Sequence, residues 1–98
     1  MGAYLFQFEL AEFSNDVARL IPAHREHVNK LFNEGRILSY SVSANRSLIW
    51  CVVNAEDEPE AMEIALSFPL YRFYTDIHCH PLLFHNTLHA ALPGISLN

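Results

Sequence analysis

The chain has 98 residues, of which 51% are hydrophobic and 17% are charged, and its formal charge is -5. This length predicts one domain, and the acidic balance argues against binding to nucleic acid or to an anionic membrane surface. The apolar composition favours a buried subunit interface. The two cysteines lack a metal-binding or redox spacing, so we expect free thiols in a cytoplasmic protein.

Two helices are predicted. In the first, apolar residues recur at helical spacing after Ser14, a candidate helix cap. Pro22 lies inside this pattern, and proline is unfavourable in a helix interior. We therefore expect a short turn at 14–20 and a main helix over 22–33. The second helix begins in the acidic run 56–60, where negative charge suits a helix N-terminus.

Four segments have the alternation of β-strands, and they cover residues 3–10, 36–43, 47–54 and 69–81. The second and third are separated by three residues and are predicted to form a hairpin. The last strand is expected to place a polar row on one face, namely Arg72, Tyr74, Asp76, His78 and His80. This row is interpreted either as part of a reaction site or as a subunit contact.

The order β-α-β-β-α-β predicts a ferredoxin-like α+β fold with strand order 4-1-3-2 and both helices on one face of the sheet. We expect residues 1–98 to form a single domain, with a core over 3–82 and an apolar tail over 83–98 that packs on a neighbour or on its own sheet. One strand would then separate Cys51 from Cys79 by about 10 Å, which is too far for a disulfide.

His24 occupies a core position of the first helix, where leucine would be ordinary. Such a histidine either bonds to a buried partner or points into a pocket. Tyr40, Trp50 and Tyr74 are candidates to line that pocket, with core or interface packing as the alternative. Arg46, in the hairpin turn, is a candidate anchor for an anion, or it is simply solvated.

His78 and His80 share one strand face and could chelate a metal together with a third histidine. No further ligand can be placed from the sequence, so no metal site is predicted. Hydrogen-bonded or interface histidines are the alternative. Asp76 could orient His78 or pair with Arg72. Nucleotide-binding and CxxC motifs are absent from the sequence, and no cofactor is expected.

Four segments resemble the muconolactone isomerase-like proteins of the dimeric α/β-barrel group, and they are residues 21–25, 31–35, 68–71 and 74–77. The resemblance implies a homodimer or larger ring, a tail that crosses to a neighbour, a pocket between the sheet and the first helix, and no cofactor. Muconolactone isomerases shift a ring double bond by moving a proton. The family has a glutamate about where His24 stands, so this chain departs from its pattern at that position.

Two functions are therefore considered. The first is a cofactor-free isomerase or lyase that acts on a small organic acid or lactone. In this hypothesis His24 is the base, and His78 or Tyr40 is the donor to the developing enolate. Trp50 and Tyr74 would form the walls. The second is a non-catalytic ligand-binding or assembly module in which the histidine row forms a dimer contact. The direction in which His24 and His78 point distinguishes the two.

Overall fold

The computed structural model describes residues 2–86, which form a four-stranded antiparallel sheet and two α-helices. The elements are β1 (Gly2–Leu10), α1 (Asn15–Asn33), β2 (Ile37–Val42), β3 (Leu48–Ala55), α2 (Glu58–Ala65) and β4 (Tyr74–Leu82). The strand order is β2-β3-β1-β4, which confirms the predicted ferredoxin-like fold. No helix among the described residues is long and apolar enough to cross a membrane. Residues 87–98 of the predicted tail lie outside the described residues, and so does the packing expected for them.

The hydrophobic core lies between the two helices and one face of the sheet, called here the helix-covered face. Phe6 and Phe8 of β1 are fully buried there, as is Phe68 from the segment after α2. Burying a side chain of this size contributes roughly 1.5–3 kcal/mol. The opposite face, called here the open face, carries the alternate β1 residues together with the residues that pair with them on β3 and β4.

Helix α1 is continuous through Pro22, so the expectation of two helical pieces is wrong. It begins after Ser14, whose hydroxyl accepts a hydrogen bond from the Val17 backbone N–H at 3.2 Å. Proline removes the hydrogen bond to the carbonyl four residues before it, here that of Ala18. Both Pro22 and Ala18 are exposed, so water can bind that carbonyl and the helix continues.

The pairing of β2 with β3 shifts register between Ile37 and Ser39. Strict alternation would place Ile37 and Tyr40 on opposite faces. The shift instead lets Ile37 pair with Val53 and Tyr40 with Cys51, and both side chains pack in the core. The strict alternation expected over 36–43 therefore fails at the start of this strand, because a bulge changes which residues oppose each other.

A second shift occurs where β1 pairs with β4. Glu9 pairs with Asp76, but Leu10 pairs with Tyr74, and Thr75 is skipped. Tyr74 therefore turns to the helix-covered face, where its ring stacks on Phe8 with centroids 4.4 Å apart. This corrects the predicted polar row, which contained Tyr74. Arg72 leaves the row as well, because residues 71–73 form a short 3-10 helix.

The cysteines lie on either side of β1. Phe6 pairs with Cys51 on one neighbouring strand and with Cys79 on the other. Both thiols are free, as predicted from the strand order. Burial raises the pKa of Cys51 to about 12, so this thiol is not a nucleophile at neutral pH.

Candidate functional site

A cavity of about 500 Å³ lies between α1 and the ends of the neighbouring strands. Its lining comes from the end of β1, from the loop before α1, from α1 itself, from the hairpin and from Leu70. Most of the lining side chains are apolar. The polar ones are His24, Arg25, Asn29, Tyr40 and Arg46. An apolar cavity of this volume with a few polar groups is typical of a small-molecule site.

His24 and Tyr40 meet in the wall of this cavity. The Nε2 atom of His24 lies 2.5 Å from the Tyr40 hydroxyl oxygen. Only 3% of His24 is exposed, because the helix stripe turns it towards the sheet. The Phe68 ring fixes both partners, with its centroid 5.3 Å from that of His24 and 6.0 Å from that of Tyr40. The pair is thus held between one helix and one strand.

Both members of the pair are uncharged at neutral pH. Burial, and to a lesser extent the nearby His27, lower the pKa of His24 from 6.5 to about 4. Burial also raises the pKa of Tyr40, with a further contribution from Cys51. Each shift has the direction expected when a charged form is removed from water. The imidazole is therefore a free base, and the phenol keeps its proton.

The pair leaves hydrogen-bonding capacity unused. The Nδ1 atom of His24 is buried and has no hydrogen-bond partner among the described residues. A neutral imidazole has one donor and one acceptor nitrogen. If Tyr40 donates to Nε2, Nδ1 carries an unused proton; if Nε2 donates to Tyr40, the phenol proton is unused. In the first tautomer one group of the pair remains for a ligand to satisfy, and in the second two remain, the Nδ1 lone pair and the phenol proton, which is uncommon for a purely structural pair.

The charged side chains that line the cavity are both arginines. Arg25 and Arg46 contribute to the lining, and no carboxylate does so within the described part of the chain. Arg46 lies over the Phe13 ring, with its guanidinium carbon 4.8 Å from the ring centroid. Its φ angle is 63°, the left-handed region that non-glycine residues seldom adopt. In a chain of net charge -5, this local positive charge favours an anionic ligand.

His27, one turn further along α1, has a different role. Its Nε2 lies 2.8 Å from the Ser67 hydroxyl, which also donates to the Ile64 carbonyl at 2.6 Å. Since that hydroxyl has one proton, His27 Nε2 must be the donor to Ser67. His27 does not line the cavity. It joins α1 to the end of α2 and is a structural histidine.

The structure brings together three of the six predicted site residues, namely His24, Tyr40 and Arg46. Tyr74 lies on the same side of the sheet but does not line the cavity. Its hydroxyl is buried without a partner in the described range, and burial raises its pKa, with smaller contributions from Tyr40 and Cys51.

The remaining two predicted site residues, His78 and Trp50, lie on the open face. Both are placed there by pairing with Gln7, and Trp50 also donates from Nε1 to the Gln7 side-chain oxygen at 3.0 Å. This corrects the expectation that His78 acts across the pocket from His24. Its own neighbours are carboxylates, with Nε2 3.0 Å from Asp76 Oδ2 and 3.4 Å from Glu9 Oε2.

Arg25 and Phe13 are two of the lining residues that the sequence reasoning did not select. Arg25 is exposed and lies off the buried stripe of α1, but its side chain is long enough to reach the mouth of the cavity. Phe13 lies in the loop before α1, where no periodicity applies. An exposed aromatic residue beside a helix start was the available signal for Phe13. A scan of this chain against protein-family models gives no match, and neither does a search of curated proteins.

Proposed function

We propose that this protein moves a proton on a small organic acid or lactone without a cofactor. The observation that carries the proposal is the buried His24–Tyr40 pair in the wall of a cavity of ligand size. Such chemistry needs a base beside an acidic C–H bond and a donor beside the oxygen on which charge develops. The two side chains supply both groups within one hydrogen bond.

His24 is assigned as the base and Tyr40 as the donor. With Nε2–H donating to the Tyr40 oxygen, the lone pair of His24 Nδ1 accepts the proton from carbon and returns it at another carbon of the same molecule, so no other reactant is required. The Tyr40 hydroxyl, whose raised pKa keeps it protonated, donates to the enolate oxygen. In a dry site such a donor is stronger than it would be in water.

Organic acids are favoured over neutral lactones as ligands. A histidine with a pKa of about 4 is a weak base at neutral pH. A bound carboxylate would stabilise the imidazolium form and raise the pKa of His24 towards the useful range. Arg25 and Arg46 at the cavity mouth are the groups that would hold such a carboxylate. Substrate binding would then activate the base.

Membership of the muconolactone isomerase-like family is part of this proposal, and muconolactone, which carries both a lactone ring and a carboxylate, is the first substrate to test. His24 in place of the family glutamate would change the base while keeping the proton transfer. A homodimer or larger homo-oligomer and a cytoplasmic location remain predictions. The partly exposed Trp50 on the open face supports a subunit contact there.

The test is turnover of muconolactone and related unsaturated acids, together with deuterium incorporation from heavy water followed by NMR. We expect His24→Gln and Tyr40→Phe to reduce kcat by about 100-fold or more, a typical effect of a general acid or base. His27→Gln is the matched control on the same helix and should leave kcat unchanged. Equal losses in all three variants, or full activity in His24→Gln, would refute these roles.

The second candidate is a non-catalytic binder of the same acids, and the low pKa of His24 favours it. It predicts that the parent binds such an acid without isomerising it or exchanging its protons. Isothermal titration with the parent and with Arg46→Asn tests this. Asparagine tolerates the left-handed backbone of Arg46, so a loss of affinity would report the missing charge. Failure of the parent to bind any of these acids would reject both candidates.

A further inference from the structure

On the open face, a carboxylate of β1 and a carboxylate of β4 repel each other. Glu9 and Asp76 are directly opposite each other in the antiparallel register. Like charges in this position destabilise a sheet. The His78 side chain, two residues along β4 on the same face, places its Nε2 beside both carboxylates. A metal ion bound at this point would offset the repulsion between the two carboxylates.

The spacing of the three groups suits a metal ion. Nε2 lies 3.0 Å from Asp76 Oδ2 and 3.4 Å from Glu9 Oε2, and one ligand atom from each residue lies within 4.8 Å of the others. Zinc ligands about 2.1 Å from the metal in tetrahedral geometry are about 3.4 Å from one another. Two of the three separations are therefore already close to those of a coordinated ion.

The Asp76 carboxylate is also oriented for this role. Its Oδ1 atom accepts a hydrogen bond from the Ile77 backbone N–H at 3.0 Å. This contact leaves Oδ2 directed at His78. The ligands stand on two paired strands rather than on loops, so little ordering is needed when an ion binds.

We propose that Glu9, Asp76 and His78 form a binding site for a divalent first-row metal ion, with Zn²⁺ preferred. One imidazole and two carboxylates match zinc or manganese, and zinc is the tighter of the two at such a site. Mg²⁺ and Ca²⁺ prefer an all-oxygen set. Water would complete the coordination, and the ion would join β4, an edge strand, to β1. The site lies on the opposite face from His24 and does not depend on the proposed proton transfer.

The test is calorimetric titration of tag-free, EDTA-treated full-length chain with Zn²⁺, Mn²⁺ and Mg²⁺, and a thermal scan with each ion. We expect Zn²⁺ to bind at about one ion per chain with a Kd of roughly micromolar order and to raise Tm, as a ligand of the folded state must. Mn²⁺ should bind more weakly, and Mg²⁺ should not bind. Absence of Zn²⁺ binding would refute the metal site.

Three variants assign the site. His78→Ala and Glu9→Gln should weaken Zn²⁺ binding by about tenfold or more and abolish the Tm shift. His80→Ala is the matched control, since it lies on the same strand and face but opposite Leu5. It should change the affinity by less than about twofold. Unchanged binding in His78→Ala, or an equal loss in His80→Ala, would overturn the assignment and point to other histidines of the chain.

Discussion

The two faces of the sheet hold histidines in opposite environments. On the helix-covered face His24 is buried and paired with a neutral phenol, and its pKa lies far below the ordinary value. On the open face the His78 side chain is 47% exposed and lies between two carboxylates. The same kind of side chain is therefore a buried free base in one place and an exposed neighbour of carboxylates in the other. The position in the fold decides which, because His24 faces the sheet from the buried side of α1, whereas His78 pairs with Gln7 on the open face of the sheet.

The largest expected effect is a difference in stability cost between a substitution on the helix-covered face and one on the open face. Phe68 is fully buried against the His24–Tyr40 pair, and Phe68→Ala should lower the free energy of unfolding by about 4 kcal/mol. Trp50 is half-buried on the open face. If water covers that face, Trp50→Ala should lower the free energy of unfolding by about 1–2 kcal/mol. Urea unfolding of each variant measures both values. A cost for Trp50→Ala that matches Phe68→Ala and varies with protein concentration would instead show that a subunit covers the open face.

The next effect is the pH dependence that His24 produces. The unfolded state binds a proton near pH 6.5 and the folded state only near pH 4, so the unfolded state holds more protons between these values. Stability should therefore be complete above pH 6.5 and fall as the pH is lowered towards 4. The difference between the two pKa values of His24 corresponds to about 3 kcal/mol in the free energy of unfolding. Water at the cavity mouth reduces this contribution to about 2 kcal/mol.

Urea unfolding between pH 4 and pH 7 measures this slope. His24→Gln should remove most of it. His27→Gln should remove less, because His27 is more exposed and its pKa is lowered for the same main reason, burial. A slope that persists in His24→Gln would contradict the assignment of a neutral, buried imidazole.

A smaller effect is expected from the hydrogen bond itself. Tyr40→Phe leaves His24 Nε2 without its partner, and a buried polar atom left in this way costs about 1–2 kcal/mol. Tyr71→Phe is the matched control, because Tyr71 is 49% exposed and should be neutral within about 0.5 kcal/mol. Chemical denaturation at pH 7 distinguishes them. Equal stability of the two variants would mean that the pair contributes nothing to the fold.

The smallest effect is expected for a substitution on the open face in the absence of metal. His78→Ala in EDTA should change stability by less than about 1 kcal/mol, because exposed ion pairs are weak and screened by salt. The change should shrink further between about 0.05 M and 0.5 M salt. A cost of several kcal/mol, insensitive to salt, would show that this cluster is buried in the assembled protein.

The fold could be predicted because most segments keep a strict period. Alternation gave the four strands, and the helical stripe placed His24 towards the sheet. Pro22 was misjudged because the cost of proline depends on whether the freed carbonyl reaches water, which a linear pattern does not show.

The candidate site was only partly predictable. Tyr74 was assigned to the wrong face because alternation cannot reveal a skipped residue in the pairing of two distant strands. Asp76 was named as a possible partner of His78 and does lie beside it, but the second partner, Glu9, was missed for a related reason. Glu9 belongs to the first strand and comes beside His78 only through the register of β1 with β4. Arg46 and Tyr40 were identified individually, but their common cavity depends on the packing of α1 over the hairpin.

The register shift near Leu38 has a consequence for how this chain avoids aggregation. β2 lies at one edge of the sheet, where unpaired backbone groups can recruit a strand from another molecule. Val42 and Leu38 increase the risk of aggregation at this edge, since these apolar side chains are 50% and 38% exposed. An irregular edge offers no continuous ladder to a foreign strand, and β2 is only six residues long. At the other edge, Pro81 in β4 lacks a backbone donor, so both borders of the sheet are poor templates for fibril growth.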